Sequence, residues 1–129
     1  LERSAAFLPQ PFGGFLQVSG LRLTIDPNGT PQTLRRNAHN NPAGILQAGS
    51  RIKRIEIIKP DGSAAQLQPE TTCSVAINSF LADGGDGYPT LQQAAKRTDT
   101  HIPLSKLVAD RLAELPSISP TVEGRITIK

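Results

Sequence analysis

The chain has no tryptophan, no methionine and one cysteine, Cys73, and its aromatic side chains stop at Phe7, Phe12, Phe15, Phe80 and Tyr88. A single cysteine excludes an internal disulfide framework. With only two histidines, His39 and His101, no Cys/His cluster stands at zinc- or haem-ligating spacing. No apolar run approaches the roughly 18 residues of a membrane span, and the first residues lack the basic-then-apolar layout of a secretory signal. An excess of one charge is missing too. The 14 Lys and Arg against 11 Asp and Glu leave +3 with both signs interspersed, too weak a bias to argue for nucleic acid.

What the chain does have is punctuation, 11 Gly and 11 Pro in 129 residues, together with 37% hydrophobic side chains. That length and that apolar fraction support one folded domain spanning residues 1–129. Residues 1–14 read as a helix remnant running into a Pro/Gly loop. Phe15–Ser19 reads as a first strand, and Leu21, Leu23 and Ile25, alternating with polar neighbours, as a second that ends in the turn Asp26-Pro27-Asn28-Gly29. Residues 30–49 are polar and read as an exposed excursion of uncertain order.

Arg51–Ile58 is β-rich, but Ile52 falls out of phase with Ile55 and Ile57, and a bulge near Lys53 reconciles the two registers. Lys59–Ser63 turns the chain. Cys73, Val75 and Ile77, alternating with Thr72, Ser74 and Ala76, form the cleanest strand pattern, with Cys73 facing inward as an inert core residue. Leu104, Leu107, Val108, Leu112 and Leu115 share one helical stripe, opened by Pro103 and stopped by Pro116. A last strand spans Gly124–Ile128. The fold class expected is α+β, with mostly antiparallel strands and one well-formed late helix.

The chemistry-bearing segment is Asn78-Ser79-Phe80-Leu81-Ala82-Asp83-Gly84-Gly85-Asp86-Gly87-Tyr88. Three glycines around Asp86 let backbone approach a ligand, and two free carboxylate oxygens suit a vicinal diol such as a ribose. Phe80 offers a face on which a base can stack. The plain alternative is a hairpin turn with Phe80 in the core. A calcium loop fails on ligand count, because no closing Glu follows Asp83 and Asp86, and a phosphate loop fails because no Gly-Lys-Ser/Thr follows the glycines. His39 and His101 read as surface residues. Arg51, Lys53 and Arg54 could meet a phosphate but fit the solvated face of a strand as well.

Four separated stretches, Phe15–Leu21, Gly49–Ile52, Asn78–Tyr88 and Glu123–Ile126, resemble the C-terminal domain of the 5′-nucleotidase family in the right order. The resemblance implies two-domain phosphohydrolases that are secreted, periplasmic or surface-attached. In these an N-terminal metallophosphoesterase domain holds two divalent metal ions, and the C-terminal domain grips the nucleoside. It places Phe80 on the base and Asp86 on the ribose, with Asn78, Gly84, Gly85 and Gly87 framing the loop and Tyr88 in packing. It implies no catalytic or metal-binding residue in this chain, which is then inactive alone.

The run Leu8-Pro9-Gln10-Pro11-Phe12 mimics the family's second stacking motif but stands too close to Phe15 to be it. The resemblance further implies a truncated domain with an exposed sheet edge and therefore a possible homo-oligomer. Two other readings stay open: a stand-alone binding module for a nucleoside, sugar or partner, and a related phosphoesterase acting on a nucleotide sugar or cyclic nucleotide.

Overall fold

A computed structural model describes residues 1–129. Eleven short elements follow one another: α1 (Glu2–Ala5), β1 (Leu21–Ile25), β2 (Thr33–Arg36), β3 (Pro42–Gln47), β4 (Ile52–Ile58), β5 (Ala64–Gln66), α2 (Ser79–Ala82), two 3-10 turns (Gly85–Gly87 and Pro89–Gln93), α3 (Leu104–Ala113) and β6 (Ile126–Ile128). The main sheet has the order β5-β4-β1-β6, and β2 and β3 form a separate hairpin. All pairings are antiparallel except β1 with β6. This is the α+β class with one well-formed late helix. No helix is long and apolar enough to cross a membrane.

The alternation in β1 places Leu23 and Ile25 in the core, with Ile25 fully buried, a burial of about 1.5–3 kcal/mol for a side chain of this size. Phe15, Val18, Ile52, Ile55 and Ile126 pack around them. Thr24 pairs with Arg54 and Ile25 with Ile52, so Lys53 is the extra residue of a bulge. That bulge turns both Ile52 and Ile55 toward the core, as their clashing phases require.

Two expectations need correction, and one segment left open by the sequence takes form. Phe15–Ser19 is no strand: Leu16 N–H donates to Ser4 Oγ at 3.1 Å and Val18 O accepts from Arg125 Nη1 at 2.6 Å. Side chains take the backbone groups that a ladder would have used. Residues 30–49, whose order the sequence left open, carry the β2–β3 hairpin, in which Leu34 pairs with Ile45 and Arg35 with Gly44. Thr72–Ile77 forms no ladder, and Cys73, Val75 and Ile77 are exposed. The pattern is that of a strand with one apolar face, but no neighbouring strand supplies the partner that makes a strand. The helical stripe of α3 likewise forms without burial, with Leu104 at 61% exposure.

The sheet receives α1 through a reciprocal exchange. Glu2 carboxylate oxygens accept from the backbone N–H of Arg51 (3.1 Å) and Ile52 (2.9 Å). The Arg51 guanidinium in turn donates to the carbonyls of Ala5 (2.8 Å), Ala6 (3.2 Å) and Leu8 (2.9 Å), and through Nε to Gly29 (2.9 Å). A one-turn helix has no stability of its own, so its last carbonyls need this cap. Arg51→Ala is expected to lower unfolding stability by about 3 kcal/mol, because several carbonyls lose a charged donor at once. Urea denaturation of the variant checks this, and a loss below about 0.5 kcal/mol, the range of an ordinary surface substitution, would refute it.

Candidate functional site

The loop between α2 and the first 3-10 turn is built from its ends inward. Asn78 takes an extended conformation, and its Oδ1 accepts from Leu81 N–H at 2.8 Å, which caps α2. Phe80 therefore sits on the first turn of a capped helix, 59% exposed, with one edge of its ring over Gly85, where a Cβ would collide with it. After Gly84 the chain enters a left-handed step at Asp86 (φ 53°, ψ 17°), an exposed residue whose carboxylate accepts no hydrogen bond from the protein. Both oxygens stay available to a ligand.

The far end of the loop is pinned to α1. Tyr88 is buried, and its hydroxyl donates to Gly14 O at 2.6 Å while standing 2.7 Å from Ser4 Oγ. Since the phenol has one proton and the carbonyl can only accept, Ser4 donates to Tyr88 and itself accepts from Leu16 N–H. The result is one directed chain: Leu16 N–H, Ser4, Tyr88, Gly14 O. Arg3 Nε donates to the Asp86 carbonyl at 3.3 Å, and its guanidinium carbon lies 4.6 Å from the Phe7 ring centroid and 5.2 Å from that of Phe12. The sequence reading missed Arg3 and Ser4, because no spacing rule connects residues more than eighty positions from the loop they hold.

A groove of about 280 Å³ opens beside Phe80, walled by Asn41 and Pro42 of the hairpin on one side and by Gly85, Pro89 and Gln92 on the other. The hairpin thus contributes a wall that its polar composition did not announce. Asp83 pairs with Arg97 at 2.7 Å, and its carbonyl accepts from Gln92 Nε2. This engagement removes Asp83 from the calcium reading.

The remaining candidates scatter. His39 and His101 are exposed, and Cys73, expected in the core, is exposed as well. Lys53 pairs with Asp26 at 3.4 Å and Arg54 with Glu56 at 2.7 Å, while Arg51 is spent on α1. No group of three or more His, Cys, Asp or Glu side chains converges to hold a metal ion.

Burial raises the Tyr88 phenol above its ordinary 10.0, opposed by the Ser4 hydrogen bond and the charge of Arg3. Burial likewise lowers the Arg3 guanidinium from its ordinary value, opposed by the charges of Tyr88 and Asp86. A phenol whose folded pKa exceeds its unfolded one binds its proton more tightly in the native state. Its stability contribution is therefore complete below pH 10 and is lost as pH rises from there through the folded pKa. Tyr88→Phe is expected to cost about 1–3 kcal/mol at neutral pH, since Ser4 and Gly14 O lose their partner, and to flatten the alkaline decline. Urea titrations at pH 7 and across the alkaline range check both, and an unchanged alkaline slope in the variant would contradict the assignment.

Residues 1–93, which include the whole Asn78–Tyr88 loop, match the family described as 5′-nucleotidase, C-terminal domain. The trifunctional nucleotide phosphoesterase protein YfkN of Bacillus subtilis is 28% identical over 127 residues, covering 98% of this chain and 8% of that protein. The 5′-nucleotidase of Diplobatis ommata is 28% identical over 120 residues, 91% of this chain and 18% of its own length. Among solved structures, a 5′-nucleotidase precursor from Thermus thermophilus superposes with a TM-score of 0.77 at 34% identity, covering 98% of this chain and 22% of that one. The chain thus spans 8–22% of the length of these relatives. By profile, fold and sequence, it belongs to the 5′-nucleotidase C-terminal domain family.

Proposed function

We propose that residues 1–129 form a single nucleoside-recognition domain serving a 5′-nucleotidase-type phosphohydrolase, with Phe80 stacking on the base and Asp86 accepting the two ribose hydroxyls. The observation that carries this reading is that one loop presents a half-bare aromatic face, which lines a groove, and six positions on an exposed, unengaged carboxylate. A base needs a flat apolar face and a vicinal diol needs two acceptor oxygens, so the pair matches a nucleoside better than either a bare sugar or a bare base. Asn78, Gly84, Gly85 and Gly87 act as the frame.

Such a domain contributes to hydrolysis by position. Binding energy from the base and ribose holds the phosphate where a separate centre acts on it. The two divalent ions implied by the family resemblance belong to a partnering N-terminal metallophosphoesterase domain. The carboxylates here do not suit them: Asp26, Asp83, Asp99 and Asp110 each face a Lys, Arg or His partner, and none gathers with two further donors. The parent activity is then nucleotide breakdown outside the cytoplasm, in keeping with a relative named as a snake venom 5′-nucleotidase.

Titration of the isotope-labelled chain with adenosine and with ribose-free 9-methyladenine tests this. Saturable amide shifts confined to Phe80–Tyr88 are expected, with weaker binding of the ribose-free compound and about tenfold weaker adenosine binding by Asp86→Asn, the scale of one charge-assisted hydrogen bond. Absence of any shift at millimolar ligand would remove the nucleoside reading. In an enzyme carrying this domain, Phe80→Ala is expected to raise KM by about tenfold with a smaller change in kcat, because stacking is made equally in the bound and transition states.

A further inference from the structure

We infer that Arg3 is the positioning residue of Asp86, holding its backbone in the left-handed conformation that aims the carboxylate at the ligand; the ligand half of this inference rests on the nucleoside reading above. Asp86 is one of only three non-glycine residues with positive φ in the chain. For a residue with a Cβ that conformation costs roughly 1–2 kcal/mol and persists only where surrounding contacts determine it. Arg3 supplies the one side-chain hydrogen bond to residue 86, from Nε to its carbonyl at 3.3 Å.

The next residue is fitted to the same group. Gly87 has φ +79°, and a Cβ there would stand 2.9 Å from both Nε and Nη2 of Arg3. The guanidinium thus lies close against Gly87 and its carbon stands over the Phe7 and Phe12 rings, which are themselves in contact, with centroids 4.3 Å apart. A flexible arginine is thereby held to one geometry before any ligand arrives. From the other side, the α-carbon of Gly14 closes on Asp86, where a Cβ would come within 2.8 Å of the Asp86 Cβ. Tyr88 is fixed by Ser4 and Gly14, but neither of those bonds reaches residue 86.

The test uses Arg3→Ala with two readouts. In the ligand-free chain, amide exchange of Gly87 and Tyr88 is expected to rise about tenfold, as for loss of one charged hydrogen bond, while the amides of β1 and β4 keep their protection. With ligand, adenosine affinity is expected to fall about tenfold while that for 9-methyladenine is unchanged, because only the ribose contact runs through Asp86. Unchanged exchange in the loop overturns the inference whatever the ligand does, and so does an equal loss for adenosine and 9-methyladenine. Should Arg3→Ala lose the fold, Phe12→Leu, which removes one ring from beneath the guanidinium, takes its place with the same expectations. If Asp86→Asn in the unaltered background leaves adenosine binding unchanged, the nucleoside reading fails separately, and the exchange measurement still decides whether Arg3 holds the loop.

Discussion

Everything in this small molecule hangs on one turn of helix, α1, held by charges at both ends. Four residues cannot form a stable helix in water, yet two of the seven buried residues of the chain, Ser4 and Ala5, lie in it, and the other five, Gly14, Leu23, Ile25, Gly87 and Tyr88, lie against it or along the core it covers. The exchange between Glu2 and Arg51 makes this possible. Glu2 caps the first amides of β4 and Arg51 caps the last carbonyls of α1, so each element completes the backbone hydrogen bonding of the other. A core this small leaves little reserve, and a few shared charged hydrogen bonds become a large fraction of what holds the fold.

The same turn faces two ways. Glu2 and the carbonyls look toward the sheet, while Arg3 and Ser4 look toward the glycine loop. The Asp86 half of the candidate site therefore inherits its geometry from the sheet through α1. The Phe80 half does not: Phe80 stands on α2, which has its own cap at Asn78, and the groove beside it is lined by the β2–β3 hairpin and the turn at Pro89–Gln93. Phe80 and Asp86, separated by six positions in sequence, thus rest on different supports.

Where the sequence could be read, the signal was local. Alternation fixed β1, the phase conflict between Ile52 and Ile55 required a bulge that falls at Lys53, and the i, i+3, i+4 spacing after Pro103 produced α3. That the loop turns sharply was legible too, from three glycines around an aspartate, while spacing alone read as a hairpin turn and the expectation of a binding role came from the family resemblance. What could not be read depends on partners distant in sequence. The hairpin Thr33–Gln47 is mostly exposed, and its apolar Leu34, Ile45 and Leu46 form no alternating run, so no alternation marks it. Arg3 looked like one more helical charge, and nothing at position 3 announces a contact at position 86.

Thr72–Ile77 and α3 carry the opposite lesson. Cys73, Val75 and Ile77 alternate and Leu104, Leu107, Val108 and Leu112 align, yet all are exposed. Periodicity reports that a face is made to be covered; it does not say by what. A helix can satisfy its own backbone and so forms regardless, as α3 does. A strand cannot, because its hydrogen bonds lie outside itself. The same apolar patterning therefore yields a complete helix in one segment and a bare extended chain in the other. That bare segment runs directly into Asn78, so α2 receives no ladder support on its N-terminal side and relies on its own cap. Order accordingly reaches Asp86 from Tyr88 and the residues that begin the chain, while Phe80 depends on its own cap at Asn78.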